Sequence, residues 1–232
     1  MKNELRAYLI LGFVLWGGHS EMCLGAKTDL PEVQPIITIH VYNSARVSPA
    51  TLMQAETTAA KVFHKAAVET RWLDVDLNQE KKLQDPTDER VFHPGDIVLY
   101  VDRGSLAKSA ALTGDPLGVA LGHGAHCTFA YVFYDRAEQL AEREKATQAE
   151  EWKLRIWLPH PNIAQILGHV IAHEIGHLLG LESHSQTGIM RGDWNHADLE
   201  NALYGQLLFT PQQAEIIRAA VSRRLSERAI PR

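Results

Sequence analysis

Apolar residues recur with two different periods at the start of the chain. Ile36 to Tyr42 has the β-branched, partly alternating character of a strand. Ser48 and Pro49 then supply an N-cap and a first-turn proline for a helix predicted from Ala50 to Thr70, in which apolar residues return at helical spacing. The pattern therefore predicts a strand followed by a long helix.

The middle of the chain consists of short apolar runs separated by loops. Strands are predicted at Arg71 to Val75 and at Asp96 to Val101, with a charged loop containing proline and glycine between them. Gly118 to Tyr134 contains two further strand-like pieces, which the sequence Gly122-His123-Gly124 separates. This alternation predicts a sheet of several short strands.

The last third of the chain is predominantly helical. A capping-box pattern begins a charged helix predicted from Asp135 to about Lys153, and Asn162 to Leu179 predicts an apolar helix. After an irregular stretch, a final helix is predicted from Pro211 to Arg224. The order of elements predicts an α+β domain in which helices pack on a twisted mixed sheet.

Composition and charge limit the classes of function. The 232 residues are 45% hydrophobic and 22% charged, which suits one domain with a sizeable core. The net charge of -5 gives no basic field, so we expect no nucleic-acid partner and no stable insertion into a membrane. We expect a monomer.

The N-terminus has the pattern of an export signal. Two basic residues precede the apolar run Ala7 to Trp16, and small residues follow it. The run is short for a membrane span, so a cleaved signal peptide is favoured over a retained anchor. Cleavage after Ser20 or after Ala26 fits, and we divide the chain into a signal at 1–26 and a domain at 27–232. The domain is then expected in the periplasm or outside the cell.

The apolar helix carries the sequence His173-Glu174-Ile175-Gly176-His177, which fits H-E-x-x-H. Histidines four residues apart lie about 40° apart around a helix and roughly 6 Å apart along it, so both imidazoles can face one metal ion. Glu174 lies beside that ion without binding it, which suits a general base. The competing interpretation is a pair of hydrogen-bonded core histidines.

A catalytic metal site of this type needs a third ligand from another segment. Gly180 follows the apolar run and can end the helix at positive φ, so that the returning chain presents His184 as that ligand. His196 is an alternative third ligand. His169 lies four residues before His173 and could form a rival pair, but no suitable glutamate accompanies it and we interpret it as structural.

The sequence HEIGHLLGLESH followed by GIM resembles the metzincin clan of zinc peptidases, whose pattern is H-E-x-x-H-x-x-G-x-x-H and then a methionine turn. Gly180 matches the glycine of that pattern, and Met190 is placed like the turn methionine. Matrixin-like domains of secreted bacterial proteins are similar in this region and also in Val132 to Arg136. The chain departs from the pattern at Ser183, which occupies the register of the third histidine, so that His184 comes one residue late.

The resemblance implies a zincin-like fold with an active-site helix, a backing helix and a C-terminal helix. It implies one catalytic Zn²⁺ on the three histidines and a secreted endopeptidase that hydrolyses polypeptides with metal-activated water and Glu174 as base. Gly180 and Met190 would support the site. The substrate-binding strand would comprise Gly118, Val119, Ala120, Leu121 and Gly122. The alternatives are an inactive metal-stabilised binding domain and a zinc hydrolase of non-peptide amides or esters.

Overall fold

The structure is a computed structural model, and it describes residues 34–75, 93, 95–104, 116–121, 129–152 and 160–228. The signal peptide predicted at 1–26, and Gly122 of the predicted substrate strand, lie outside these residues. Within these ranges, no helix combines the length and the apolar character needed to cross a bilayer.

Five strands and five helices make up the described chain. In chain order they are β1 (Ile36–Asn43), α1 (Pro49–Lys65), β2 (Glu69–Asp74), β3 (Ile97–Asp102), β4 (Gly118–Leu121), β5 (Phe129–Phe133), α2 (Tyr134–Trp152), α3 (Ile163–Leu178), α4 (His196–Leu203) and α5 (Pro211–Arg228). The strands form one sheet in the order β2-β1-β3-β5-β4. All neighbouring pairs are parallel except β4 with β5. The predicted mixed sheet with packed helices is confirmed, and β4 lies at its edge.

The core forms between one face of the sheet and the helices α1 and α3. Alternate β1 residues Ile37, Ile39 and Val41 are buried there, as the period-two pattern requires. The two helices cross closely at Gly168, where an added Cβ would lie 2.5 Å from the Ala55 carbonyl oxygen. Glycine therefore sets the distance at which α1 supports α3 from behind.

Helix α5 fixes the C-terminal end of α3. The buried Arg224 donates from Nη2 to the Leu178 carbonyl oxygen at 2.7 Å. That carbonyl belongs to the last turn of α3, where backbone acceptors have no partner within the helix. A charged donor at a helix C-terminus is favourable both as a hydrogen bond and towards the helix dipole.

Two helical predictions need correction. Helix α1 ends at Lys65 rather than Thr70, because Ala67 adopts φ 57° and the amides of Ala67 and Val68 bond back to the carbonyls of His64 and Phe63. These two bonds are the Schellman arrangement that usually has glycine at the position of Ala67. The stretch expected to be irregular before Pro211 contains α4, which is only eight residues long.

Replacing Ala67 by glycine is expected to stabilise the protein. A left-handed conformation is strained for alanine, and relief of that strain exceeds the extra entropy of glycine in the unfolded chain, for a net gain of about 0.5–1 kcal/mol. Urea unfolding measures the change in the free energy of unfolding. The matched control is Ala60→Gly inside α1, which should lose about 1 kcal/mol. Destabilisation by both changes would contradict the assignment of strain to Ala67.

Candidate metal centre

Helix α3 begins at a reciprocal cap. The Asn162 side chain accepts from the Gln165 amide and the Gln165 side chain accepts from the Asn162 amide, both at 2.9 Å. Almost every residue from Ala164 to Leu178 is buried, including His173 and Glu174 of the H-E-x-x-H motif. A helix so enclosed by its neighbours holds its side chains in fixed directions, which is what a site that must position ligands needs.

The imidazoles of His173 and His177 are both oriented by backbone carbonyls. His173 Nδ1 lies 2.7 Å from the Ile189 carbonyl oxygen, and His177 Nδ1 lies 2.5 Å from the Leu181 carbonyl oxygen. A carbonyl can only accept, so each Nδ1 carries the proton and donates it. Each Nε2 is then left with its lone pair, which is the form in which histidine binds a metal.

The carbonyl that orients His177 is placed by the turn at the end of α3. Gly180 has φ 98°, and the amides of Gly180 and Leu181 bond back to the carbonyls of His177 and Gly176 at 3.1 Å. This is a Schellman arrangement with glycine at its usual position. The predicted helix end at Gly180 is confirmed, and the turn also directs the Leu181 carbonyl towards His177.

His184 joins the two helix histidines. The ring centroids are 4.8 Å apart for His173 and His177, 5.3 Å for His173 and His184, and 5.1 Å for His177 and His184. One nitrogen of each ring lies within 4.8 Å of the others. The structure therefore brings together the three histidines predicted from the sequence, although His184 comes one residue late relative to the metzincin pattern.

Met190 packs against the helix that carries two of the three histidines. It is fully buried, and its Sδ would be 2.9 Å from a Cβ added to Gly176, so the thioether packs directly against α3. The Met190 carbonyl accepts from the Ser185 amide at 2.8 Å, which ties the segment carrying His184 to the segment beneath the helix. Met190 therefore packs against the helix that carries His173 and His177, and its role as a turn methionine stays a prediction.

The separation of the histidine nitrogens fits that of ligands on one metal ion. With both Nδ1 protons committed to carbonyls, the Nε2 lone pairs of His173 and His177 face each other across 3.1 Å. Two lone pairs repel at that distance unless a cation or a proton lies between them. Two ligands on one tetrahedral ion, each about 2.0–2.1 Å from it, are about 3.3 Å apart, close to the separation found.

Glu174 is a buried carboxyl beside the cluster. Burial raises its pKa to about 8, and a hydrogen bond from the Ala120 amide lowers it only partly. The carboxyl contacts Gly118 of the edge strand, where an added Cβ would lie 2.7 Å from Glu174 Oε1. The edge strand β4 therefore positions Glu174, and the site for residue 118 has no room for a side chain.

A cleft with a volume of about 300 Å³ opens at the cluster between β4 and the segment after α3. Of the predicted substrate strand, Gly118, Val119 and Ala120 line this cleft, whereas Leu121 does not line it and is exposed. Sequence reasoning missed the cleft residues Glu182 and Arg191. No motif marks them, because they reach the cleft only through the fold of an irregular loop.

The rival histidines lie outside the cluster. His196 is at the start of α4, with Nδ1 2.5 Å from Glu144 Oε1, so it is engaged by α2. His169 bonds from Nδ1 to the Gln165 carbonyl at 2.7 Å and is not among the grouped ligands. Trp194 donates from Nε1 to the Ile189 carbonyl at 3.2 Å and lines the cleft.

No protein-family model matches the chain, and no curated protein sequence matches it. Among solved structures, a zinc-dependent peptidase from Methanocorpusculum labreanum is similar, with a TM-score of 0.45, 16% identity, and coverage of 77% of this chain and 99% of that one. Archaemetzincin from Methanopyrus kandleri is similar with a TM-score of 0.42, 14% identity, and coverage of 85% and 99%. At these TM-scores the interpretation of the site depends on its own geometry.

Burial of His173 predicts a loss of stability in acid for the metal-free protein. Burial lowers the pKa of His173 to about 4 from about 6.5 when unfolded. The unfolded chain therefore takes up the proton first, so stability is complete above about pH 6.5 and falls towards pH 4, by up to about 3 kcal/mol from this residue.

The measurement is urea unfolding with a chelator between pH 7 and pH 4. Glu174→Gln is the background, since Glu174 has a raised pKa and its titration acts in the opposite direction over part of this range. Adding His173→Asn should make the pH dependence shallower, whatever it does to absolute stability. Equal pH dependence in the two proteins would show that His173 is not held neutral by burial.

Proposed function

We propose that this chain is a zinc-dependent metallopeptidase of the metzincin type. The observation that carries the proposal is the convergence of His173, His177 and His184, with the first two fixed in the metal-binding tautomer by backbone carbonyls. A set of three neutral imidazoles is a donor set that suits zinc, and three protein ligands leave a coordination position open, as in catalytic rather than structural zinc sites.

The neighbouring groups suit hydrolysis. Zinc bound there would supply a Lewis acid for a carbonyl group and for a water molecule. Glu174 is within the same cleft and does not belong to the ligand cluster, so its carboxylate is available to take a proton from water and pass it to the leaving amine. A nearby cation favours the ionised form and opposes the effect of burial on the pKa of Glu174.

The shape of the cleft favours an extended polypeptide as substrate. The edge strand β4 runs along one side of the cleft, and it is paired only with β5 in the described sheet. An exposed strand edge can accept an extended peptide by strand addition. This geometry supports cleavage within polypeptides, that is, endopeptidase activity, over hydrolysis of compact amides or esters.

We also propose that the protein is exported and acts in the periplasm or outside the cell. The support is the N-terminal pattern of basic residues, an apolar run and small residues at 1–26.

The metzincin assignment at the level of the clan is supported by the order of Gly180, His184 and Met190 after the helix motif, and by the positions that these residues take in the structure.

Variants at the cluster and the base test the proposed function. Glu174→Gln should keep about one zinc per chain and lose turnover on a protein substrate by about 10²–10⁴-fold, because the base is lost and the ligands are not. His184→Ala should lose both zinc and turnover. The measurements are metal content after dialysis and the rate of digestion of an unfolded protein.

The matched control is His196→Ala, which removes the alternative ligand while leaving the cluster. It should keep zinc and turnover, since His196 is paired with Glu144 instead. Zinc binding without digestion of any peptide would favour the inactive binding domain. Turnover of a simple ester by a zinc-loaded protein that leaves peptides intact would favour the non-peptide hydrolase.

Gly118→Ala separates positioning of the base from binding of the metal. The new methyl group would overlap Glu174 and the Tyr131 carbonyl oxygen, each 2.7 Å away, so the carboxyl or the strand must shift. A displacement of about 1 Å in a catalytic group costs on the order of 10²-fold in rate. We expect turnover to fall by that order at unchanged zinc content, and wild-type turnover in this variant would contradict the proposed position of the base.

A further inference from the structure

The Ile189 carbonyl oxygen accepts hydrogen bonds from two side chains. His173 donates to it from Nδ1 at 2.7 Å, and Trp194 donates to it from Nε1 at 3.2 Å. A carbonyl oxygen has two lone pairs, so both donors can be satisfied at once, and an indole nitrogen can only donate. Trp194 and the histidine of the metal centre are therefore joined through one shared atom.

This carbonyl depends on partners outside its own turn. The Arg191 amide donates to the Gly188 carbonyl at 3.2 Å, so the turn has Ile189 and Met190 at its centre. That bond joins the two ends of the turn and does not involve the central carbonyl. Ile189 is fully buried, and a buried carbonyl has to be paired within the protein. The direction of the Ile189 carbonyl is therefore set by the two side chains that donate to it.

The ring of Trp194 lies against the same histidine. The ring centroids of Trp194 and His173 are 6.0 Å apart with the planes at 77°, and those of Trp194 and His169 are 6.5 Å apart with the planes at 88°. Aromatic rings favour edge-to-face contacts at these distances. The indole therefore rests on two histidine rings one turn apart on α3, which fixes the position from which its Nε1 donates.

A role in packing has to be separated from a role in hydrogen bonding. Trp194 is partly buried and packs against the core, so its loss would lower the stability of the fold in any case. Removal of a group that orients a metal ligand has a more specific effect, a loss of about 10–100-fold in metal affinity. Metal affinity compared between variants that differ in ring and donor therefore distinguishes the two roles.

We propose that Trp194 is a positioning residue of the metal centre. Its N–H group fixes the direction of the Ile189 carbonyl, and that carbonyl holds the His173 ring with Nε2 turned towards the other two histidines. Trp194 acts through His173 and not on the reacting atoms. This inference rests on the zinc site of the proposed function, to which it adds a residue that lies outside the H-E-x-x-H motif.

Two substitutions separate the N–H group of Trp194 from its ring. Trp194→Phe keeps an aromatic ring and loses the donor, whereas Trp194→Gln loses the ring and keeps an N–H donor. The matched control is Trp72→Phe. Trp72 is also partly buried, and its Nε1 donates to Thr70 Oγ1 at 2.9 Å, but it lies on β2, at the edge of the sheet opposite to β4.

Zinc affinity is measured by competition with a chromophoric chelator. Trp194→Phe should weaken zinc binding about tenfold or more, and Trp194→Gln should weaken it less. Trp72→Phe should bind zinc as the wild type does. Co²⁺ in place of zinc gives a second readout, since its visible absorption depends on the geometry of its ligands. That absorption should change in Trp194→Phe and stay the same in Trp72→Phe.

The outcomes separate this inference from the proposed function. Absence of zinc binding by the wild type would overturn both. Zinc binding by the wild type with equal affinity in Trp194→Phe would overturn the inference alone. Weaker binding by Trp194→Gln than by Trp194→Phe would also overturn it, because the ring would then be the group that acts. An equal loss of affinity in Trp72→Phe would do the same, because any lost indole would then have that effect.

Discussion

Two hydrogen bonds from imidazole Nδ1 to backbone carbonyls are the interactions on which the centre depends. The carbonyls belong to Leu181 and Ile189, which flank the loop that carries His184. The same bonds that turn two Nε2 atoms towards one point therefore also fix both ends of the segment that supplies the third ring. The contacts that orient the two helix histidines are therefore the same contacts that anchor the loop carrying His184.

The arrangement is costly without a cation. His173 is buried with its pKa lowered to about 4, and its Nε2 faces that of His177 at 3.1 Å. Glu174 is buried beside them with its pKa raised to about 8. Each group is shifted towards its neutral form, so the metal-free centre carries desolvation and lone-pair repulsion without compensating charge. A divalent cation offsets these terms together, which couples metal affinity to the stability of the fold.

The sequence predicted an element well where the pattern of apolar residues and the residue types that end a helix agree. The apolar period predicted α3 to within one residue at each end, and Gly180 predicted the turn that follows it. The end of α1 could not be predicted from the sequence, because Ala67 adopts a left-handed conformation that normally requires glycine. The orienting carbonyls of Leu181 and Ile189 could not be predicted, since a backbone acceptor leaves no trace in residue identity.

Glycine at positions 118, 168 and 176 shows a further limit of pattern reading. An added Cβ would come within 3 Å of Glu174 at the first, of Ala55 and Thr58 at the second, and of Met190 at the third. None of these glycines is at positive φ, so they are needed for close approach rather than for backbone freedom. Each close approach brings α3 against a different part of the chain, namely β4, α1 and the segment containing Met190. Such contacts between distant segments cannot be predicted from the pattern within one segment.

The one-residue displacement of His184 follows from the same geometry. A ligand on a helix is confined to positions three or four residues apart, but a ligand on a loop is positioned by whatever anchors the loop. Here the anchors are the Ser185 amide on the Met190 carbonyl and the close approach of Gly192, where an added Cβ would lie 3.0 Å from His184 Nδ1. One contact holds the residue after His184 and the other lies against the His184 ring, so neither involves Ser183, which is exposed as the extra residue of the turn. The spacing in the sequence can therefore vary by one while the three rings still meet.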